Sequence, residues 1–295
     1  MSLLASSRSI NAAKQALRQM GLSSSEQELD QVAASFVDEL QLRNSRSLDP
    51  DLLALFVDGK YVEWREGDKL RPATIYVAVG LGRDGKKRVL ACLPQSGREN
   101  TEGWKVLIRS LCERGLRRVM LIVHDDFPGL KSVFEGLFPH ADIQLCTVHM
   151  QRNAKTHLSK PDSIEFQNRW RAIKATWDVE VGNRQFEELC DHFAKKYPTW
   201  IAELRKKRPH YLAFLKYPED MRRSFCSTNL VEAVNGQLEI MRRNSGGYFH
   251  SEDTLKLKLG LAVTSLENGK WSRPSSKDHA FLPQLNAMFQ LRFES

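Results

Sequence analysis

The hydrophobic pattern opens with two helical stretches. Over residues 10–20 apolar positions return every three to four residues, Gly21 ends the run, and Ser23, Ser24, Ser25 and Glu26 supply N-cap chemistry for a second helix. Leu29, Val32, Ala33, Phe36, Val37 and Leu40 give that second helix its apolar stripe. Such a pair can read DNA as a helix-turn-helix, although most such pairs are plain packing. From Leu52 the period becomes that of strands. Residues 53–59 read as a strand ending at Asp58, and residues 74–79 and 88–93 as two more, joined by the hairpin turn Gly82-Arg83-Asp84-Gly85. Residues 100–114 predict a helix with Trp104, Leu107, Ile108 and Leu111 on one face and Gly115 as its stop. The apolar run 119–123 predicts a strand buried on both faces, and it ends in His124-Asp125-Asp126. A helix over 129–137 and a short strand over 143–145 follow.

This order of elements matches an α/β, ribonuclease-H-like core. After Cys146 the chain turns helical and basic, with periodic segments over 164–177, 184–196 and 198–208 and no convincing strand. We read these as an all-helical insertion. The stretch 225–243 predicts a helix that buries Leu230, Val234, Leu238 and Met241 and turns Glu232, Asn235 and Glu239 elsewhere. Asn229 and Glu232 have the spacing of an N-cap and N3 pair. Beyond Leu266 the sequence reads as irregular and mobile. The division is a short helical N-terminal segment (1–48), the first part of the core (49–155), the insertion (156–223), a returning core segment (224–266) and a C-terminal tail (267–295).

Composition narrows the class. Of 295 residues, 41% are hydrophobic and 27% charged, which suits a soluble globular protein and excludes a disordered one. No apolar run approaches the roughly 20 residues that span a bilayer, and the N-terminus lacks the regions of a secretory signal. Cys92, Cys112, Cys146, Cys190 and Cys226 are odd in number and scattered, which points to a reducing, intracellular compartment. The net charge is +8, and residues 151–223 hold 16 Lys/Arg against 10 Asp/Glu. The run Arg205-Lys206-Lys207-Arg208 is its densest part, and a patch of this kind attracts a polyanion, usually nucleic acid.

Three carboxylates carry the candidate chemistry. Aspartates at strand ends in apolar surroundings are costly unless a cation or backbone amides neutralise them. Asp58, Asp125 and Glu232 come from separate elements, as a site for two Mg²⁺ or Mn²⁺ ions about 4 Å apart demands. Asp126 rivals Asp125, but along a pleat only one of the two can face the site. Cys146-x-x-His149 has metal-like spacing and lacks a standard second pair; Cys190-x-His192 is the nearby candidate, and a non-metal role is the better reading.

Phe56-Val57-Asp58-Gly59, the run from Val123 through Asp125 to Leu130, the run from Phe138 through Cys146 and His149 to Asn153, and Ser227-Thr228-Asn229-Leu230-Val231-Glu232 occur in that order. The ordered set resembles the Mutator-type transposases, including their bacterial insertion-sequence branch, over residues 50–260. The resemblance implies a ribonuclease-H-like DDE domain with Asp58, Asp125 and Glu232 as its metal triad, and it places the family's Cys/His motif on Cys146 and His149. It implies strand cleavage and strand transfer at transposon ends, with two Mg²⁺ or Mn²⁺ ions, and a homo-oligomer on terminal inverted repeats and target DNA. A bacterial protein of this kind works in the cytoplasm, associated with the nucleoid. Arg152, the 205–208 run, Arg242 and Arg243 are expected to meet DNA phosphates. Gly59 stands where Ala is usual, His124 where Ser is common, and Phe127-Pro128 is unusual. Only 57 residues precede Asp58, where relatives carry a longer DNA-binding region, so weakened recognition of transposon ends is expected. The alternatives are an inactive or truncated DNA-binding derivative and a stand-alone ribonuclease-H-like nuclease.

Overall fold

The computed structural model describes residues 2–22, 26–176 and 178–294. Ser23, Ser24, Ser25 and Trp177, invoked above, lie outside the described residues. Three helices lead the chain: α1 (Ser2–Ser6), α2 (Ile10–Gln19) and α3 (Glu26–Ser45). Ser9 caps α2 by accepting from the Ala12 amide at 3.2 Å. On α3, Ala33, Phe36 and Leu40 are buried as the stripe predicts, whereas Val32 is exposed.

Five strands follow: β1 (Asp51–Glu66), β2 (Lys69–Gly82), β3 (Lys87–Ser96), β4 (Arg118–His124) and β5 (Asp142–Leu145). They form one mixed sheet in the order β3-β2-β1-β4-β5. The three leading strands are antiparallel, and β1–β4 and β4–β5 pair in parallel. One expectation is corrected here. β1 does not end at Asp58. Pairing with β2 continues from Asp58 opposite Val77 to Glu66 opposite Lys69, whereas pairing with β4 stops at Phe56 opposite Val123. Beyond Asp58 the alternation is diluted by Gly59, Lys60 and Glu63, yet Val62 and Trp64 are buried on one face while Tyr61 is exposed.

Each face of the sheet carries its own core. On one side Leu55, Val57, Tyr76 and Ile122 meet α4 (Thr101–Glu113) and α5 (Leu130–Leu137) through Trp104, Leu107, Ile108, Leu111 and Phe134. Asn100 caps α4 by accepting from the Gly103 amide at 2.9 Å. The other face carries Phe56, Val77 and Val123.

The helical segment comprises α6 (Thr147–His157), α7 (Lys160–Ala175), α8 (Val179–Ala194), α9 (Pro198–Lys206), α10 (Arg208–Tyr211), a 3-10 turn at Ala213–Lys216 and α11 (Glu219–Phe225). Phe166, Trp170, Ile173, Phe186 and Phe193 are among its buried residues. Gln144 on β5 docks it: the fully buried amide donates to the Tyr211 carbonyl at 3.2 Å and accepts from the Phe214 amide at 2.7 Å.

The chain closes with α12 (Asn229–Asn244), α13 (Glu252–Asn268) and α14 (Ser276–Phe293). Gly260 on α13 meets α3 so closely that a Cβ there would lie 2.1 Å from the Phe36 carbonyl oxygen. The expected irregular tail is a second correction, because α14 is helical and docked. Leu285 and Phe289 are fully buried, and Arg292 donates to the Met120 carbonyl at 2.7 Å and to Asp142 Oδ2 at 2.8 Å. Ser272, Pro274 and the internal Pro283 obscure a helical spacing that Phe281, Leu282, Leu285, Met288 and Phe289 do possess. Among the described residues no helix is long and apolar enough to cross a membrane.

Candidate active site

Parallel register brings the first two carboxylates together. Phe56 of β1 lies opposite Val123 of β4, and two residues further along the same pleat stand Asp58 and Asp125. Both therefore leave the sheet on one face, at the point where the two strands part. Asp126 is not part of this cluster and pairs with Lys207. His149, in the first turn of α6, joins them: one ligand atom each of Asp58, Asp125 and His149 lies within 4.8 Å of the others.

The site is short of positive charge. Asp58 is 7% exposed and accepts from Asn235 Nδ2 of α12 at 3.1 Å. Burial lifts its carboxyl to about 7; His149 opposes this, while Asp125, Glu99 and Glu232 add to it. Asp125 is raised by burial too, against the pull of His149 and of the Phe127 amide. Its buried Oδ1 finds no hydrogen-bond partner among the described residues, and neither does Oε1 of Glu232. That Glu232 oxygen stands 3.6 Å from Arg152 Nη2.

The start of α12 differs from the expected cap. Thr228, not Asn229, is the N-cap residue, and it makes no side-chain cap bond. Both its amide and its hydroxyl donate to Cys146 Sγ at 3.5 Å. Glu232 donates its amide to the Thr228 carbonyl at 2.9 Å, which makes it the fourth helical residue and leaves its carboxylate free of cap duty. Burial pushes the Cys146 thiol up, but interactions with His149 and Thr228 outweigh it and leave the thiol below its usual value. The Cys146 partner, against burial, together with Asp58 and Asp125, raises His149 to about 9. Cys190 and His192 do not join them; His192 Nε2 instead lies 3.0 Å from Glu165.

Sequence reasoning missed Glu99. Trp104 Nε1 donates to its Oε1 at 2.8 Å, and burial followed by Asp125 raises its carboxyl. A Cβ on Gly59 would lie 2.8 Å from the Glu99 carboxyl carbon, so the glycine after Asp58 lets a fourth carboxylate rest against β1. Nothing in the spacing marks Glu99, because its place depends on an atom that Gly59 lacks. His124, the unusual neighbour of Asp125, takes no part. It is fully buried with its ring 5.3 Å from Phe134, and burial lowers it to about 4, so it is neutral.

The basic residues divide into two groups. In the 205–208 run every cation has a carboxylate: Arg205 has Glu187 and Asp191, Lys206 has Glu203 at 2.5 Å, Lys207 has Asp126, and Arg208 has Glu187 at 2.7 Å. Arg242 and Arg243, in contrast, share the single carboxylate of Glu239 with Lys60.

The chain as a whole has relatives among known sequences. The family model described as "Transposase, Mutator family" matches residues 4–273. The chain belongs to this family. It is similar to the transposase for insertion sequence element ISRM5 of Rhizobium meliloti, with 27% identity over 78% of this chain and 58% of that protein. It is also similar to the transposase for IS1201 of Lactobacillus helveticus, with 25% identity over 81% of this chain and 64% of that one. The transposase for IS256 in transposon Tn4001 of Staphylococcus aureus shows 26% identity over 76% and 57%. The chain thus spans less than two thirds of the length of these relatives.

Proposed function

We propose that the chain is a DDE-type DNA transposase that hydrolyses phosphodiester bonds at transposon ends and transfers the resulting 3′-hydroxyl to target DNA. The observation that carries this is the convergence of Asp58 and Asp125, with His149, where β1 and β4 part, the buried Oδ1 of Asp125 having no hydrogen-bond partner among the described residues. In this reading residues 49–155 and 224–266 form a ribonuclease-H-like core, 156–223 an insertion, 1–48 a helical front and 267–295 a C-terminal segment. Family membership and the relatives' names support the activity.

The donor set fits divalent cations. Clustered carboxylates suit Mg²⁺ or Mn²⁺, and the buried Oδ1 of Asp125 has no hydrogen-bond partner among the described residues, as a cation ligand awaiting its ion would. Asp58, Asp125 and Glu232 would hold two ions, with Glu99 as an additional carboxylate. Bound ions supply an activated oxygen nucleophile and charge neutralisation for in-line displacement. Asn235 holds the Asp58 carboxylate in place. His149, protonated at neutral pH, balances part of the negative charge and orients Asp58 and Asp125. Arg152 beside Glu232, Arg242 and Arg243 would meet phosphates of terminal repeats and target, with a homo-oligomer bridging two ends in the cytoplasm or nucleoid of a bacterial host, whereas the carboxylates paired with the 205–208 run leave it a minor share of that contact.

Asp58→Asn, Asp125→Asn and Glu232→Gln are each expected to lower Mg²⁺-dependent cleavage of end-bearing DNA by about three orders of magnitude or more while DNA binding persists. Normal cleavage by Glu232→Gln would overturn the assignment.

A further inference from the structure

Between the β1–β2 ribbon and the far end of α12 lies a groove of about 560 Å³, with Lys60, Glu63, Glu239, Arg242 and Arg243 among its walls. It continues the candidate site along the same two elements. On β1, Lys60 follows Asp58 by two residues and shares its face of the strand. On α12, Glu239 follows Asn235 by about one turn. The two elements are bonded at successive rungs, Asn235 to Asp58 at 3.1 Å and Lys60 to Glu239 at 3.3 Å. The segment after α12 is tied to the ribbon at Phe249, whose carbonyl accepts from the Arg65 amide at 2.8 Å and whose amide donates to the Glu63 carbonyl at 2.9 Å.

The charge arrangement is unusual. One carboxylate serves three cations: Arg242 grips Glu239 with two bonds of 3.0 and 2.7 Å, Arg243 reaches it at 3.1 Å and Lys60 at 3.3 Å. Arg243 is 74% exposed along its side chain. A guanidinium fork that holds a carboxylate bidentately also fits a phosphodiester, whose two free oxygens have similar spacing. The four cations of the 205–208 run face four carboxylates instead, so little of their field is left for a polyanion.

We propose that this groove seats the DNA sugar-phosphate backbone next to the cleavage site, with Lys60, Arg242 and Arg243 as its cations and Glu239 occupying the phosphate position when DNA is absent. This rests on the DNA-cleaving reading above and specifies where the strand leaves the site. Seven residues of helix separate Glu232 from Glu239, about 10 Å, or roughly three nucleotides at 3.4 Å per step.

The test measures affinity for a duplex oligonucleotide by fluorescence anisotropy in EDTA, across a salt series, with melting temperature in parallel. Lys60→Gln and Arg243→Ala are each expected to reduce the steepness of log K against log salt by about one, and their double variant by about two. Glu239→Gln is expected to tighten binding about threefold or more, the opposite of what loss of a merely structural ion pair would do. Lys206→Ala serves as the control and leaves the slope unchanged. Unchanged slopes in the double variant, or weaker binding by Glu239→Gln at an unaltered melting temperature, overturn the groove while the transposase reading stands. Absence of DNA binding by the unaltered chain overturns both.

Discussion

At the scale of single residues, Asp58 is held under conditions that oppose its own charge. Its folded value of about 7 lies above its ordinary 3.8. Burying the carboxylate therefore costs nothing below pH 3.8, costs progressively more between 3.8 and 7, and costs its full amount above 7. A cation that binds the ionised form must displace the proton below that point. Mn²⁺ affinity is thus expected to rise by up to about tenfold per pH unit as pH climbs toward 7 and to level off above it; calorimetric titrations at pH 6, 7 and 8 check this, and a flat response would exclude Asp58 as a ligand. The same reasoning gives an uncommon mutant phenotype. Asp58→Asn is expected to raise the metal-free melting temperature at pH 7.5 by roughly 2–6 °C and to abolish any further rise on adding Mn²⁺. A lowered melting temperature, or a persisting metal shift, would count against the site. The aspartates were legible because each follows an apolar run. Glu99 was not, since its role comes from Trp104 and the missing Cβ of Gly59.

Local pattern and tertiary outcome part most clearly among the elements. The buried strand β4 and the helix α4 matched their patterns, because a continuous apolar run and a capped 3.6-residue period each admit one reading. The second half of β1 did not, because its partner β2 rather than its own sequence extends it. The cap of α12 followed the same rule: Asn229 had the right spacing, yet Cys146 draws Thr228 into the cap position. The helix α14 depends on distant groups, with Phe289 fully buried beneath the guanidinium groups of Arg83 and Arg118 at 4.7 and 5.4 Å. Phe289→Ala is expected to cost about 3–5 kcal/mol, read by denaturant unfolding. A change below about 1 kcal/mol would mean that the C-terminal helix adds little to the fold.

At the scale of the whole molecule, the helical segment from α6 to α11 joins the sheet through a shared apolar core and a few buried polar links. Gln144 alone satisfies three backbone groups, those of Leu145, Tyr211 and Phe214. Gln144→Leu leaves the Tyr211 carbonyl and the Phe214 amide without this partner and is expected to cost about 2–4 kcal/mol. Faster amide exchange over residues 208–216, with little change in β1 and β2, is the expected readout. Exchange that accelerates uniformly would show that the insertion is not separately docked.

What the sequence determined by itself was the order of the five strands with the helices α2 to α5, two of the three expected carboxylates at their strands, and the family, because these rest on local periodicity and on ordered motifs. What only the tertiary structure decided was which groups meet. Parallel register sets Asp58 beside Asp125, the missing Cβ at Gly59 admits Glu99, and Glu187, Asp191, Glu203 and Asp126 neutralise Arg205 to Arg208. Charge and burial depend on neighbours far along the chain, and no periodicity records a neighbour at that distance.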